Sequence, residues 1–211
     1  MSREYHDMTN PFGMDESCTN CPALVSNRDG IVHGYGDVAA DFLFILNRPR
    51  SSATKKDHPL GAPHSQPSLY SLLEECGFLH AGEHDSMPPV LDNAYVTHRT
   101  RCRHPEREAT PDEVRNCSPF LTAEIRSINP DILIPCGDEV LRDIVEEYSR
   151  RDPQSVAVDD HLGQEIRGRG FEIIPLQQPE DMNDSEYSLS IESIRSTIER
   201  DYRQTKGRQG R

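Results

Sequence analysis

Four cysteines carry the strongest chemical signal in this chain. Cys18 and Cys21 are spaced Cys-x-x-Cys, Cys102 lies in Arg101-Cys102-Arg103, and Cys117 lies inside a helical pattern. Thiols kept reduced in a cytoplasmic setting at such spacings hold metal more often than they form disulfides. The four are read as ligands of zinc or of an iron–sulfur cluster. A zinc ribbon uses two tight knuckles, whereas here the second pair is split by a long loop and half a helix. A cubane cluster is wider and takes scattered ligands more easily. Cys76 and Cys136 fall on apolar faces and read as packing residues.

The second signal is charge. The chain has 211 residues, with 36 acidic against 23 basic side chains and a formal charge of −13. That balance argues superficially against a nucleic-acid partner and fits an acidic, solvated, halophile-like surface. Local charge differs, because Arg99, Arg101, Arg103, His104 and Arg107 crowd around Cys102. Such a patch suits phosphate; a plain solvated loop is the alternative. His58, His64, His80, His84 and His104 fall in loops and read as surface residues.

The elements that must position these residues follow from periodicity. Short apolar runs at 41–46, 93–98, 131–136 and 171–176 predict buried strands. Helices are expected over 68–76, 111–128, 138–148 and around Ile191, Ile194 and Ile198. The helix at 111 has a full start signal, with Thr110 as cap, Pro111 at the first position and Glu113 closing a capping box. Val114, Cys117, Leu121, Ile125 and Ile128 recur on its inner face. Segments 18–36, 47–67 and 150–170 read as irregular. Strands alternating with helices predict a three-layer α/β/α domain around a four-stranded, mainly parallel sheet. The organisation expected is a flexible 1–17, a domain over 18–203 and a disordered basic tail at 204–211. No apolar run reaches a membrane span, so the reading is a cytoplasmic monomer without membrane contact. In such a sheet, loops leaving the carboxyl ends of the strands build the site.

With these motifs in order, the chain resembles the iron–sulfur uracil-DNA glycosylases, families 4 and 5 of that superfamily. The likeness runs from about Cys18 to Glu180. It rests on Cys18-x-x-Cys21, Arg101-Cys102-Arg103, Asn116-Cys117-Ser118-Pro119-Phe120-Leu121 and Asn129-Pro130-Asp131-Ile132-Leu133-Ile134 running to Gly137. The resemblance implies a 4Fe-4S cluster on Cys18, Cys21, Cys102 and Cys117, holding a DNA-contacting loop. It implies Arg99, Arg101, Arg103 and Arg107 as DNA-binding residues, on single- or double-stranded DNA. It also implies that the damaged base is flipped into a pocket and its N-glycosidic bond hydrolysed.

The catalytic loops depart from the family pattern. Where family 4 has Gly-Glu-Ala-Pro-Gly, this chain has Leu46-Asn47-Arg48-Pro49-Arg50, so Asn47 stands at the acid's place. An amide can hold a water but cannot act as a base. His98 stands where an Asn reads the uracil edge, beside Pro49. Gln178 stands where a His steadies charge on the base oxygen. The pocket loop's Phe has no counterpart in Leu60-Gly61-Ala62-Pro63-His64. Asn47 and Gln178 are the candidate catalytic residues, and Pro49 and His98 the base-binding ones. Three readings stay open: an active glycosylase for uracil or another deaminated base, an inactive Fe-S nucleic-acid-binding relative, and a metal-stabilised protein with an unrelated small-molecule site.

Overall fold

The structure, a computed structural model, describes residues 9–49, 60, 68–79 and 89–202. Residues 1–8 of the expected flexible start at 1–17, the basic tail and most of the 47–67 loop lie outside the described residues, as do His58, His64, His80 and His84. The chain joins the fold at Thr9, ahead of the expected boundary at 18. Thr9 bridges to Tyr35, and the Asn10 amide donates to the Gly34 carbonyl at 3.0 Å.

The apolar runs form the centre of one sheet. β1 (Tyr35–Gly36), β2 (Phe42–Leu46), β3 (Ala94–His98), β4 (Ile132–Pro135), β5 (Ile166–Arg167) and β6 (Glu172–Ile173) lie in the order β1-β3-β2-β4-β6-β5. The four inner strands are parallel, and β1 and β5 pair antiparallel at the two edges. The sheet therefore has six strands where four were expected. The edge strands escape sequence reading because each is two residues long, too short for a period to register.

Helices cover both faces. α1 (Pro22–Asn27) follows the first cysteine pair, in a stretch expected to be irregular. α2 (Leu69–Glu75) and α6 (Asp184–Glu199) lie over one face. α3 (Pro111–Ile128) and α4 (Asp138–Tyr148) lie over the other, while α5 (Val158–His161) is a single turn inside the supposedly irregular 150–170. Alternation along β2 sends Phe42, Phe44 and Leu46 into the first core and Leu43 and Ile45 into the second. Each fully buried side chain of this kind contributes about 1.5–3 kcal/mol.

Chain signals set the element ends. Thr110 and Glu113 form the capping box of α3, and Asn129 closes it in the left-handed region at φ +52°, just before Pro130. Pro135 is the last residue of β4, where a missing ladder donor does least harm. Register brings Leu46 opposite His98 and Ile45 opposite Pro135, and Cys136 bridges to Leu176. Asn47, Arg99, Gly137 and Gln177 thus leave the sheet along one edge.

Candidate functional site

The cysteine end is built first. Cys21 caps α1, Cys102 follows β3 by a few residues, and Cys117 sits on the second turn of α3. Cys18, Cys21, Cys102 and Cys117 line one cavity together with Leu24, Ile31 and Phe120. Three nitrogens point at their sulfurs. Arg28 Nη1 donates to Cys102 Sγ at 3.2 Å, the Arg101 amide to Cys117 Sγ at 3.2 Å and Asn116 Nδ2 to Cys21 Sγ at 3.8 Å. Arg28 Nη2 also donates to the Cys18 carbonyl at 2.8 Å, tying the first pair to the second. Burial pushes the Cys117 thiol up to about 11 and raises Cys102 and Cys21 as well. Among the described residues, no group of three or more His, Cys, Asp or Glu closes into a site for a metal ion. Cys76 and Cys136 are buried in the first core, as expected of packing residues.

The basic patch proves to be several different things. Arg101 was expected at a DNA-binding surface, yet its side chain and that of Glu124 are each 1% exposed and paired at 2.5 Å. Arg101 Nη1 donates to Thr97 Oγ1 at 2.6 Å and to the His98 carbonyl. Glu124 also accepts from Thr97 Oγ1 at 2.5 Å, Tyr95 Oη at 3.2 Å and the Gly34 amide at 3.2 Å. A β-carbon at Gly34 would lie 2.4 Å from the Tyr95 ring and 2.5 Å from Glu124 Oε1, so only glycine lets that amide reach the carboxylate. Arg101 is therefore an internal strut, because a guanidinium buried to 1% and paired with Glu124 offers nothing to a phosphate.

The neighbouring arginines are also engaged. Arg99 Nε donates to Asp143 Oδ2 at 2.6 Å and Nη1 to Glu139 Oε2 at 2.8 Å. Arg107 grips Glu113 through both nitrogens at 2.7 Å, which holds that carboxyl down at about 2. Arg48 pairs with Glu108 and donates to the Arg107 carbonyl at 2.8 Å. Among the described residues, Arg103, half-buried, has no hydrogen bond or ion pair. The dense positive surface expected from sequence is thus largely neutralised from within, and Arg103 keeps its charge unspent.

The carboxyl edge of the sheet holds the remaining candidates. Asn47 follows β2 and is half-buried; its Nδ2 donates to Glu139 Oε2 at 3.2 Å. Pro49 is buried, and His98 ends β3 at 1% exposed. Gln178 follows Leu176 past the end of β6, and its Nε2 donates to the Cys136 carbonyl at 2.5 Å. Gly137, at φ +90°, makes the turn between them, where a β-carbon would lie 2.9 Å from Gln178 Nε2. Asn47 and Gln178 therefore flank the β4–α4 turn from its two sides.

Sequence reading missed Arg28, Glu124 and Glu139. Glu124 had left a sign: Cys117, Leu121, Glu124 and Ile128 fall at i, i+4, i+7 and i+11 on the inner stripe of α3, where a carboxylate demands a partner. Arg28 and Glu139 had none, being ordinary charges in a loop and at a helix start.

The comparisons with known proteins agree with this geometry. The family model described as "Uracil DNA glycosylase superfamily" matches residues 33–198. A type-4 uracil-DNA glycosylase of Thermotoga maritima is 30% identical over 62% of each chain. One of Archaeoglobus fulgidus is 26% identical over 57% of this chain and 55% of its own. A type-5 uracil-DNA glycosylase of Pyrobaculum aerophilum is 23% identical over 87% of each. The chain thus spans less than two thirds of the first two relatives and most of the third. The matched region takes in β1 through almost all of α6, that is, the sheet, both helical layers and every strand-end loop described above, and so the chain belongs to the uracil DNA glycosylase superfamily.

Proposed function

We propose that this chain is a DNA glycosylase of the repair type, hydrolysing the N-glycosidic bond of uracil or another deaminated base after flipping it from the strand. The observation that carries the reading is that the carboxyl edge of a superfamily sheet gathers Asn47, His98 and Gln178 beside the loop the cysteines organise. Extrusion of the base costs a few kcal/mol, least for a mispaired base. Asn47 orients the attacking water through its amide, and Gln178 donates toward the base oxygen as negative charge develops there. Swinging outward costs Gln178 its bond to the Cys136 carbonyl, and a neutral amide steadies an anion less well than a cation does. Pro49 and His98 wall the base pocket, and Arg103 contacts the DNA backbone.

The four thiols fit a 4Fe-4S cluster better than zinc. They come from three separate segments around one cavity with apolar walls, and N–H donors face three of the sulfurs, the environment that a buried, negatively charged sulfur centre requires. Cys18, Cys21, Cys102 and Cys117 would hold it. A cluster bound there would hold the 101–117 loop in place, a structural and not a redox role. The protein acts on DNA as a soluble monomer in this reading; no described helix is long and apolar enough to cross a membrane.

The deciding test is base excision on uracil-containing single and double strands at low and high salt. Abasic product that falls about 10²–10³-fold in Gln178→Ala supports the reading. Binding without excision would instead favour an inactive nucleic-acid-binding relative, the reading that the replaced acid and His favour. Iron and acid-labile sulfide in anaerobically purified protein test the cluster, and a colourless zinc-loaded protein would reject it.

A further inference from the structure

We propose that Glu139 supplies the carboxylate that the loop after β2 lacks, with Asn47 serving to orient it. The proposal rests on the glycosylase reading above and names a residue of that same site. Hydrolysis at an oxocarbenium-like sugar needs a group that can take a proton from water, and the amide at position 47 cannot. A carboxylate nevertheless lies one hydrogen bond away. Asn47 Nδ2 donates to Glu139 Oε2 at 3.2 Å, and Arg99 Nη1 donates to the same oxygen at 2.8 Å. Arg99 Nη1 also reaches Asn47 Oδ1 at 3.4 Å, so side chains from just past β2, just past β3 and the first turn of α4 close on one point.

Two features set Glu139 apart from an ordinary surface ion pair. Arg99 is already gripped by Asp143, through Nε at 2.6 Å and Nη2 at 3.4 Å, so its charge is met without Glu139. Glu139 also stands in the first turn after Gly137, on the strand-end edge, with its side chain 49% exposed. Both donors engage Oε2, and among the described residues Oε1 has no partner, which leaves it for a water. In the step itself, the water oxygen bonds to the sugar C1′ and its proton passes to Glu139. The C1′–N bond breaks with its electron pair leaving on the base, which takes a proton from solvent.

Single-turnover excision of uracil from a single strand tests this. Glu139→Gln keeps shape and hydrogen bonding, and it should lower the excision rate about 10²–10³-fold while DNA affinity and melting temperature hold. Asn47→Asp added to Glu139→Gln puts an acid back one hydrogen bond away and should recover at least about tenfold of that loss. Glu139→Gln excising within about threefold of the unaltered chain would overturn the assignment, since a mere ion pair predicts that result. A loss that Asn47→Asp does not recover would also overturn it, leaving Glu139 structural. An unaltered chain that releases no base overturns the glycosylase reading itself, an outcome separable from both.

Discussion

Arg99 and Arg101 stand two residues apart at the exit of β3, yet they belong to two regions governed by different physics. Arg101 turns inward to Glu124 in a site closed to water, where the pair, Thr97 and the His98 carbonyl satisfy one another. Arg99 turns outward to Asp143 and Glu139, whose side chains are 38% and 49% exposed. The inner region behaves as a strut joining the cysteine loop, β3 and α3. The outer one is a cluster in which a mostly covered Arg99 meets two carboxylates that reach solvent. Charge that looks like one patch in sequence is thus divided between a buried strut and a part-exposed cluster at the strand ends.

The sharpest way to break this contrast is to remove each arginine in turn. Arg101→Met leaves Glu124 buried without its counter-charge and should cost about 3–5 kcal/mol in denaturant unfolding. Arg99→Met should cost less, about 1 kcal/mol, because the carboxylates it pairs with reach solvent and such pairs are screened. Equal losses would erase the distinction between strut and surface. A smaller effect comes from Glu113, whose carboxyl Arg107 holds at about 2, below its ordinary value of 4.5. A depressed acid contributes stability above its unfolded pKa and loses it as pH falls through the folded one. Stability should therefore decline from about pH 4.5 towards 2, and Glu113→Gln, which keeps the α3 cap, should flatten that decline. A melting curve unchanged by the substitution across this window would detach Arg107 from the loop's support. The smallest effect belongs to Arg103. Its replacement by Gln should leave unfolding unaltered and lower the salt slope of DNA binding by about 1. An unchanged slope would remove Arg103 from the interface.

Much of the frame is legible in the order of residues. The four parallel strands, Pro111–Ile128 with its cap and its stop at Asn129-Pro130, and Asp138–Tyr148 follow from period and end signals, because those are local interactions. α1, α5, β1 and β5 were not legible, being too short for any period and held mainly by the sheet edges or by packing. The cysteines could be grouped by residue type and spacing alone. Their common cavity, and the nitrogens aimed at their sulfurs, exist only because α1 and α3 are brought against the loop after β3.

Residue types and their spacing were enough to say which side chains have chemistry to offer and where the longer strands and helices run. They also displayed the absence of an acid at Asn47. What each charge faces was settled by packing: Arg101 buried against Glu124, and Glu139 beside the very residue that lacks a carboxylate. Arg101 and Glu124, or Asn47 and Glu139, lie far apart along the chain and meet through strand order and helix docking, which sum many weak contacts over the whole fold.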